Sequence, residues 1–342
     1  CAPSNHPPFG RLHLRRLFCF AFSMKALSPP LFVNFSSLDE ALHSFPFPED
    51  VTRWRYLTEK NLPPVISVQF LSLIFGVTPN FISSVIRKPE KNYRHFVIKK
   101  GKKNRIIKSP KIGLKLFQTW IAHHLSRSIN FQENVCGFIP GKNGILLAAS
   151  QHADAQWVYS IDLRDFFSNI SSERIIPELL ALGYPCSSAR LIINLCTLHG
   201  HLPQGSPASP VLSNLAFQNT DKKFIELANA LGIRYTRYAD DLVFSGTNAQ
   251  PDGISEKIKE ILNIDNWEIA PEKEENSKAP YRLKVHGLVV NGVTPRLTKG
   301  YRNRIRAYKH LLNTNNIKNN KEKIQGHLAY ADQVERFFSQ KN

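Results

Sequence analysis

The sequence has few cysteines, no long apolar run and no internal repeat. The first two features each argue against a class of protein. Its five cysteines are scattered over 342 residues without a Cys-x-x-Cys pair, so neither a zinc site nor a disulfide framework is indicated. No stretch approaches the ~20 apolar residues that a membrane-spanning helix needs. We expect a protein of several subdomains that works in a reducing cytoplasm and has no membrane partner.

Acidic residues are scarce beside basic ones, with 27 against 45 and a formal net charge of +18. Residues 87–115 contain twelve Lys or Arg and one acid, and residues 277–342 contain fourteen and three. A solvated basic face explains one such zone. Two zones that flank the central region indicate a groove for a polyanionic nucleic-acid backbone. Binding should then weaken steeply as salt rises.

The first part of the chain also lacks acids. Residues 1–38 contain none, and Met24 is the only methionine. Arg15 and Arg16 precede a short apolar run, which is similar to a signal peptide with too short an apolar core. We therefore expect residues 1–23 to be a non-native or disordered leader.

The stretch Tyr238-Ala239-Asp240-Asp241 places two carboxylates between apolar, strand-like segments. Neighbouring side chains of a regular strand point to opposite faces, so these two converge only where the chain turns. Asp suits a hairpin tip, and the pattern predicts one here. Adjacent carboxylates repel each other, and a hard divalent cation relieves the repulsion. A simple polar hairpin tip is the alternative for an isolated Asp-Asp pair.

A third carboxylate, Asp162, ends an apolar strand predicted at 157–162 and is followed by Phe166 and Phe167. A two-metal phosphoryl-transfer site needs carboxylates from separate strands. Residues 202–214, between Asp162 and Asp240, are rich in small residues and proline. This composition suits a loop that presses against a ligand and leads into a helix.

These segments occur in the order that is typical of reverse transcriptases, a family that the chain resembles over roughly residues 55–338. The carrying motifs are Asp162-Leu-x-x-Phe-Phe, Leu202-Pro-Gln-Gly-x-Pro-x-Ser-Pro and Tyr238-Ala-Asp-Asp. The resemblance implies an α+β, right-hand polymerase with fingers, a palm of antiparallel sheet plus helices, and a small helical thumb. The expected boundaries are a leader at 1–23, a helical region at 24–90, fingers at 91–156, a palm at 157–292 with interleaved fingers helices at 172–200, and a thumb at 293–342.

The resemblance also implies a metal site. Asp162, Asp240 and Asp241 match the catalytic carboxylates of the family. Together with the backbone carbonyl of Leu163, they are expected to bind two Mg²⁺ ions, for which Mn²⁺ is a substitute. Asp165 lies three residues past Asp162, and we expect it to face elsewhere.

Further positions match the family's nucleotide contacts. Arg105 and Lys99, in a predicted basic hairpin at 94–109, are expected to bind the triphosphate of a dNTP. Phe167 matches an aromatic gate that excludes the 2′-hydroxyl of a ribonucleotide. Gln204 and Gly205 are expected to pack against the nascent base pair. A solvated hairpin tip and simple core packing are the alternatives for the basic residues and Phe167.

Primer and template contacts are expected at three residues. Tyr238 would lie near the primer terminus, with a core aromatic as the alternative. Arg302 and Arg306 would face RNA from the thumb, with a solvated helix face as the alternative.

Two blocks resemble the bacterial retron branch of the family, at residues 281–291 and 324–330. Two positions depart from its pattern. Ala148 stands where the pattern Asn-Ala-x-x-His has Asn, and His286 stands where Val-Thr-Gly has Thr. In the family both elements are linked to handling structured RNA. We therefore expect the departures to bear on RNA recognition and to leave the polymerase chemistry untouched.

A retron enzyme copies part of its own structured noncoding RNA into single-stranded DNA (msDNA), primed from an RNA 2′-hydroxyl, in bacterial antiphage defence. The expected partners are that RNA, the RNA–DNA hybrid and single-stranded DNA product, dNTPs and a separately encoded effector protein. Two alternatives stay open. One is a group II intron-like or other free-standing bacterial reverse transcriptase, and the other is an RNA-binding scaffold that holds a defence effector.

Overall fold

The computed structural model describes residues 47–100, 103–314 and 321–339. The expected leader at 1–23, and the part of the predicted helical region before residue 47, lie outside the described residues. The chain forms two compact units. Unit 1 comprises the described residues up to Ile129 together with Ser171–Ser209, and unit 2 comprises Asn130–Ile170 and the chain from Pro210 onward. The boundaries of fingers, palm and thumb stay predictions.

The described residues contain eleven α-helices. They are α1 Pro48–Glu59, α2 Val68–Phe75, α3 Pro79–Arg87, α4 Ile112–Ser128, α5 Gly144–Gln151, α6 Ser172–Leu182, α7 Cys186–Cys196, α8 Ser209–Leu231, α9 Ile254–Ile264, α10 Lys299–Asn313 and α11 Lys321–Ser339. Several begin at side chains that cap the free N–H groups of the first turn. The hydroxyl of Thr298, for example, accepts a hydrogen bond from Tyr301 N at the start of α10.

Within the described ranges, nine strands form three separate sheets. They are β1 Tyr93–Lys100, β2 Lys103–Pro110, β3 Trp157–Asp162, β4 Arg234–Tyr238, β5 Asp241–Gly246, β6 Glu275–Lys278, β7 Lys284–Val285, β8 Leu288–Val289 and β9 Arg296–Leu297. The pairings are antiparallel in all three sheets. Helices combined with antiparallel sheets confirm the predicted α+β class.

Unit 1 contains the hairpin β1–β2 and helices α1 to α4, α6 and α7. The hairpin is the one predicted from the alternation of residues 94–109. Phe117 and Trp120 of α4 are buried, and both rings contact Phe75 edge to face at 4.5 and 5.5 Å between centroids. These aromatic contacts join α2 to α4.

Unit 2 is built on a four-stranded sheet with strand order β4-β5-β3-β6. The sheet explains why residues distant in sequence meet, since β3 lies directly beside β5. A smaller sheet of order β7-β8-β9 shares a hydrophobic core with β3, β5 and the helices α5, α10 and α11. That core includes Val158, Val243, Val285, Ile305 and Val334.

Across the described ranges, no single helix is long and apolar enough to cross a membrane. The helices α2 and α3, bent by 118° relative to each other, are together long and apolar enough by length and composition alone.

Candidate active site

The two neighbouring aspartates lie at the predicted hairpin turn, which the structure confirms. Strand β4 ends at Tyr238 and β5 begins at Asp241, and these two residues are paired across the hairpin. Ala239 and Asp240 form the two-residue turn between them. Ala239 has a φ of 59°, a left-handed conformation that costs a residue with a Cβ about 1–2 kcal/mol. The surrounding structure therefore has to hold this turn in place.

Strand pairing brings the third carboxylate to the same place. Asp162, the last residue of β3, is paired directly with Asp241, the first residue of β5. Directly opposed residues of an antiparallel pair project from the same face of the sheet. The adjacent backbone is tied as well, because Leu163 N donates a 2.9 Å hydrogen bond to the carbonyl of Asp240. Asp162, Asp240 and Asp241 are thus brought together as a cluster of like charges.

Burial and like charge leave a visible effect on Asp240. The pKa of its carboxyl is raised above the ordinary value, chiefly by burial and then by the neighbouring charge of Asp162. Lys273 acts in the opposite direction on this pKa, and Asp241 raises it further. The cluster is therefore one in which an added cation would be stabilising.

Two side chains that sequence reasoning did not place at the site contact Asp162 and Asp241. The ammonium of Lys273 forms an ion pair with Asp162. Lys273 lies 111 residues after Asp162 in the chain, so no local pattern could have pointed to it. His286 Nδ1 lies 3.0 Å from Asp241 Oδ2. The departure at His286 was expected to leave the polymerase chemistry untouched, and this stays a prediction, although the turn between β7 and β8 places the residue against the Asp241 carboxylate.

A buried ion pair between β4 and α8 supports the Ala239–Asp240 turn. Arg237 of β4 donates two hydrogen bonds to Asp221 of α8, from Nε to Oδ1 at 2.9 Å and from Nη2 to Oδ2 at 2.6 Å. Its Nη1 donates to Asn214 Oδ1 and to the carbonyl of Ala239, at 3.0 and 3.2 Å. Both charged side chains are essentially inaccessible to solvent. The arginine thus connects the strained turn to α8.

The segment Gly137–Gly144 packs against the same turn. A Cβ on Gly137 would lie 2.6 Å from Ala239 N, and one on Gly144 would lie 3.0 Å from Tyr238 Cε2 and 2.1 Å from the carbonyl oxygen of Cys136. Only glycine permits this close approach. The Gly137 carbonyl in turn accepts a hydrogen bond from Asn214 Nδ2 at 2.9 Å.

The two phenylalanines after Asp162 have different surroundings. Phe166 is buried and contacts Phe217 and Trp267, with centroids 6.1 and 5.9 Å away. Phe167 is half-buried, and its ring lies 6.1 Å from that of Phe138. Phe138 also contacts Tyr238, which is half-buried, at 6.2 Å. Phe166 is thus a core residue, whereas Phe167 retains a surface that a ligand can contact.

His152, from the block with the Ala148 departure, is a buried bridge between β4 and β5. Its Nδ1 lies 2.6 Å from Ser245 Oγ and its Nε2 lies 2.7 Å from Thr236 Oγ1. Burial lowers its pKa from 6.5 to about 3, with smaller contributions from His286 and Arg234. The neutral ring therefore joins β4 and β5, the strands on both sides of the Ala239–Asp240 turn. Ala148 itself is fully buried in α5.

The nucleotide-contact candidates Arg105, Lys99, Gln204 and Gly205 all belong to unit 1. The Gln204 carbonyl accepts a 2.8 Å hydrogen bond from Lys108 N of β2. Gly205 has a φ of 126°, and a Cβ there would lie 2.8 Å from Ile107 Cγ2 and 2.9 Å from the Lys108 carbonyl. The Gln204–Gly205 loop thus lies against β2, and glycine is required at its closest approach.

A buried glutamine holds the same loop from its other side. Gln118 of α4 is fully buried, and its Nε2 donates to Tyr93 Oη and to the Leu195 carbonyl, both at 2.8 Å. Its Oε1 accepts a 2.7 Å hydrogen bond from Ser206 Oγ. One side chain therefore connects β1, α4, α7 and the loop.

Strand alternation separates the two basic candidates of the hairpin. Arg105 and Ile107 are two residues apart on β2 and share a face, the face that Ile107 presents to Gly205. Lys99 is paired with Asn104, so it projects from the opposite face. Both side chains are exposed. Arg105 and Lys99 therefore cannot serve one ligand in the same way, and only Arg105 shares a face with the Gln204–Gly205 loop.

The thumb candidates lie on the exposed face of α10. Arg302 and Arg306 are one helical turn apart and exposed, whereas Ile305 is buried in the core of unit 2. The arrangement agrees equally with an RNA-facing surface and with a solvated helix face.

The carboxylates fit a divalent cation by their chemistry rather than as a preformed cage. Among the residues that the structure describes, no group of three or more His, Cys, Asp or Glu is arranged to hold a metal ion. Hard cations take carboxylate oxygens, and three such groups converge here with one raised pKa. Lys273 contacts a carboxylate oxygen of Asp162, and His286 contacts one of Asp241.

Comparison with known proteins assigns the family. A model described as reverse transcriptase (RNA-dependent DNA polymerase) matches residues 97–290, a range that contains the three aspartates, Arg105 and the Gln204–Gly205 loop. The chain belongs to this family.

Its curated relatives place it near the retron branch, as the sequence motifs predicted. It is 29% identical to the retron Mx65 reverse transcriptase of Myxococcus xanthus over 270 residues, which cover 72% of this chain and 63% of the relative. It is 32% identical to retron Mx162 reverse transcriptase of the same organism, over 56% and 46% of the two chains. For retron Ec86 reverse transcriptase of Escherichia coli the identity is 30%, over 55% and 60%. The chain thus spans about half to two thirds of the length of these relatives.

Proposed function

We propose that this chain is a retron reverse transcriptase, which extends a primer hydroxyl with deoxyribonucleotides along an RNA template. The observation that carries the proposal is the register of β3 against β5, which places Asp162 opposite Asp241 and beside Asp240. This is the arrangement of carboxylates that nucleotidyl transfer requires, and it lies within the matched family range.

We assign Asp162, Asp240 and Asp241, with the carbonyl of Leu163, to two Mg²⁺ ions, with Mn²⁺ as a substitute. When bound, such ions activate the primer hydroxyl and neutralise the triphosphate and the leaving pyrophosphate. The chain contributes the placement of the carboxylates, which Arg237 secures through the Ala239 carbonyl. Lys273 forms an ion pair with Asp162, and His286 contacts the carboxylate of Asp241.

The remaining predicted residues are assigned to substrate. Arg105 would bind the triphosphate. Gln204 and Gly205, in the loop that lies against the same face of β2, would pack against the nascent base pair. Phe167 would contact the sugar and reject a 2′-hydroxyl. Tyr238 would lie near the primer terminus, and Arg302 and Arg306 would contact the nucleic-acid backbone. Lys99 lies on the opposite face of the hairpin from Arg105, and its contact with the dNTP stays a prediction.

The proposed biological role follows the retron relatives. The enzyme would act in the bacterial cytoplasm and copy part of a structured noncoding RNA into single-stranded DNA from an RNA 2′-hydroxyl, giving a branched RNA–DNA product. It would serve antiphage defence together with a separately encoded effector. The high positive charge of the chain supports a nucleic-acid partner.

The test is the double substitution Asp240→Asn with Asp241→Asn. We expect DNA synthesis on an RNA template to fall by about a thousandfold or more, because the charge that holds the cations is lost. Asp165→Asn is a matched control, since Asp165 is an exposed carboxylate in a turn near Asp162. It should retain wild-type synthesis. Robust extension by the double variant would refute the assignment.

Sequencing of the nucleic acid that copurifies with the wild-type protein tests the retron role. A covalently branched RNA–DNA species is the expected result. Long intron RNA would instead favour a group II intron-like enzyme. Bound RNA without any DNA, together with equal function of the double variant in defence, would favour the scaffold.

A further inference from the structure

His286 occupies a tight turn that connects the three-stranded sheet to the catalytic carboxylates. It follows β7 and precedes Gly287 and β8, and Val285 is paired with Leu288 across the turn. His286 and Gly287 both have positive φ, 48° and 84°. A two-residue hairpin turn with positive φ at both positions favours Asn, Asp or Gly at the first of them. The turn alone therefore gives no reason for histidine.

The contacts of the ring supply a reason. Nδ1 lies 3.0 Å from Asp241 Oδ2, and the side chain is only 7% exposed. The ring also packs against Tyr238, with 5.4 Å between centroids. In the part of the chain that the structure describes, Nε2 is buried without a hydrogen-bond partner. Because only Nδ1 has an acceptor, the proton belongs on Nδ1, which donates to the carboxylate.

Asp241 is a group that needs such a donor. It stands directly opposite Asp162 on the neighbouring strand, and like charges in this position repel. Asp162 is held by Lys273. Without His286, no comparable contact among those described would fix the orientation of the Asp241 carboxylate.

We propose that His286 is a positioning residue that holds Oδ2 of Asp241 and leaves Oδ1 available to a divalent cation. The inference rests on the proposed two-metal function. Hydrogen-bond donors behind a ligating carboxylate fix its orientation, and their loss typically weakens metal affinity 10- to 100-fold. The histidine thus gives this chain a support for its metal site at a position where the retron pattern has threonine.

The test separates this role from that of a turn former. His286→Gly keeps a residue suited to positive φ and removes the side chain. His286→Asn also suits the turn, and its amide nitrogen takes the position of Nδ1. Mn²⁺ binding to the full-length protein without substrate is measured by electron paramagnetic resonance, alongside thermal unfolding in the absence of metal.

We expect His286→Gly to weaken Mn²⁺ binding about tenfold in a protein that still unfolds cooperatively, and His286→Asn to restore most of the binding. Equal Mn²⁺ affinity of His286→Gly and wild type would overturn the inference. So would Mn²⁺ binding that is equally weakened in both variants together with a lower unfolding temperature of both, because position 286 would then act on the fold.

Failure of the inference is distinguishable from failure of the proposed function. If wild type binds Mn²⁺ and polymerises while His286→Gly binds equally well, only the role of His286 is refuted. If wild type neither binds Mn²⁺ nor depends on Asp240 and Asp241 for synthesis, the two-metal function fails and the inference fails with it.

Discussion

The β4–β5 and β1–β2 hairpins both carry proposed functional residues, and they are supported in opposite ways. Around the catalytic turn, Tyr235, Thr236 and Arg237 on one strand are buried, as are the residues of β5 that follow Asp241. In the β1–β2 hairpin, Phe96, Val97, Ile98 and Ile106 are each about half exposed, from 46 to 59%.

The difference separates two kinds of functional residue. At the catalytic turn, strand register and a buried ion pair fix the carboxylates, so substitutions behind them should act through stability. On the β1–β2 hairpin, the side chains of Lys99 and Arg105 are exposed, so substitutions there should act on ligand binding and leave stability unchanged. Three experiments test this contrast.

The largest effect is expected at Arg237. Arg237→Gln leaves Asp221 buried without its bidentate partner, which should cost about 3–5 kcal/mol of unfolding free energy. Equilibrium urea unfolding measures the loss. The double variant Arg237→Met with Asp221→Leu should recover most of the stability, because no charge is left buried. It should not recover DNA synthesis, since the Ala239 carbonyl loses its hydrogen bond. A loss below about 1 kcal/mol for Arg237→Gln would contradict rigid support of the turn.

The second effect is an acid sensitivity caused by His152. In the unfolded chain the His152 imidazole takes up a proton near its ordinary pKa of 6.5. In the folded protein, burial lowers the pKa of this imidazole to about 3. Between these values the unfolded state binds more protons, so stability is lost as pH falls from 6.5 toward 3. The loss should reach about 2 kcal/mol by pH 5. Unfolding of wild type and His152→Gln at pH 7.5 and 5 measures it.

The readout is the difference between the two pH values rather than the stability at either. His152→Gln removes a hydrogen bond to Ser245 or Thr236 and will therefore lower stability at both pH values. The variant should nevertheless lose less on acidification than wild type does. If both proteins lose the same amount between pH 7.5 and 5, another group carries the acid sensitivity.

The same contrast explains how much could be predicted from the sequence. Both hairpins, the helices predicted at 172–200, and the clustering of Asp162 with Asp240 and Asp241 followed from local patterns and motif order. What the sequence could not indicate are contacts that depend on sheet order. Lys273 reaches Asp162 and His286 reaches Asp241 only when β3, β5 and the β7–β8 turn are in place, and Arg237 reaches Asp221 only when α8 packs against β4.

His286 illustrates the limit most clearly. As a departure from a motif it was assigned to RNA recognition, because the motif carries that association in the family. Its side chain lies against Asp241, and the expected bearing of the departure on RNA recognition stays a prediction. A motif position shows that a residue type matters, whereas the tertiary structure decides which neighbour it acts upon.

The smallest effect is expected on the exposed hairpin, and it distinguishes charge from position. Arg105→Ala should raise the KM for dNTP about tenfold, as expected for a lost charge-assisted hydrogen bond to phosphate. Lys99→Ala is the matched control, because Lys99 lies on the same hairpin with an exposed side chain and the opposite face. It should change KM less than twofold, and neither variant should change the unfolding free energy by more than about 0.5 kcal/mol. Equal increases in KM for both variants would show that the hairpin acts through its net charge, and the distinction between its two faces would fail.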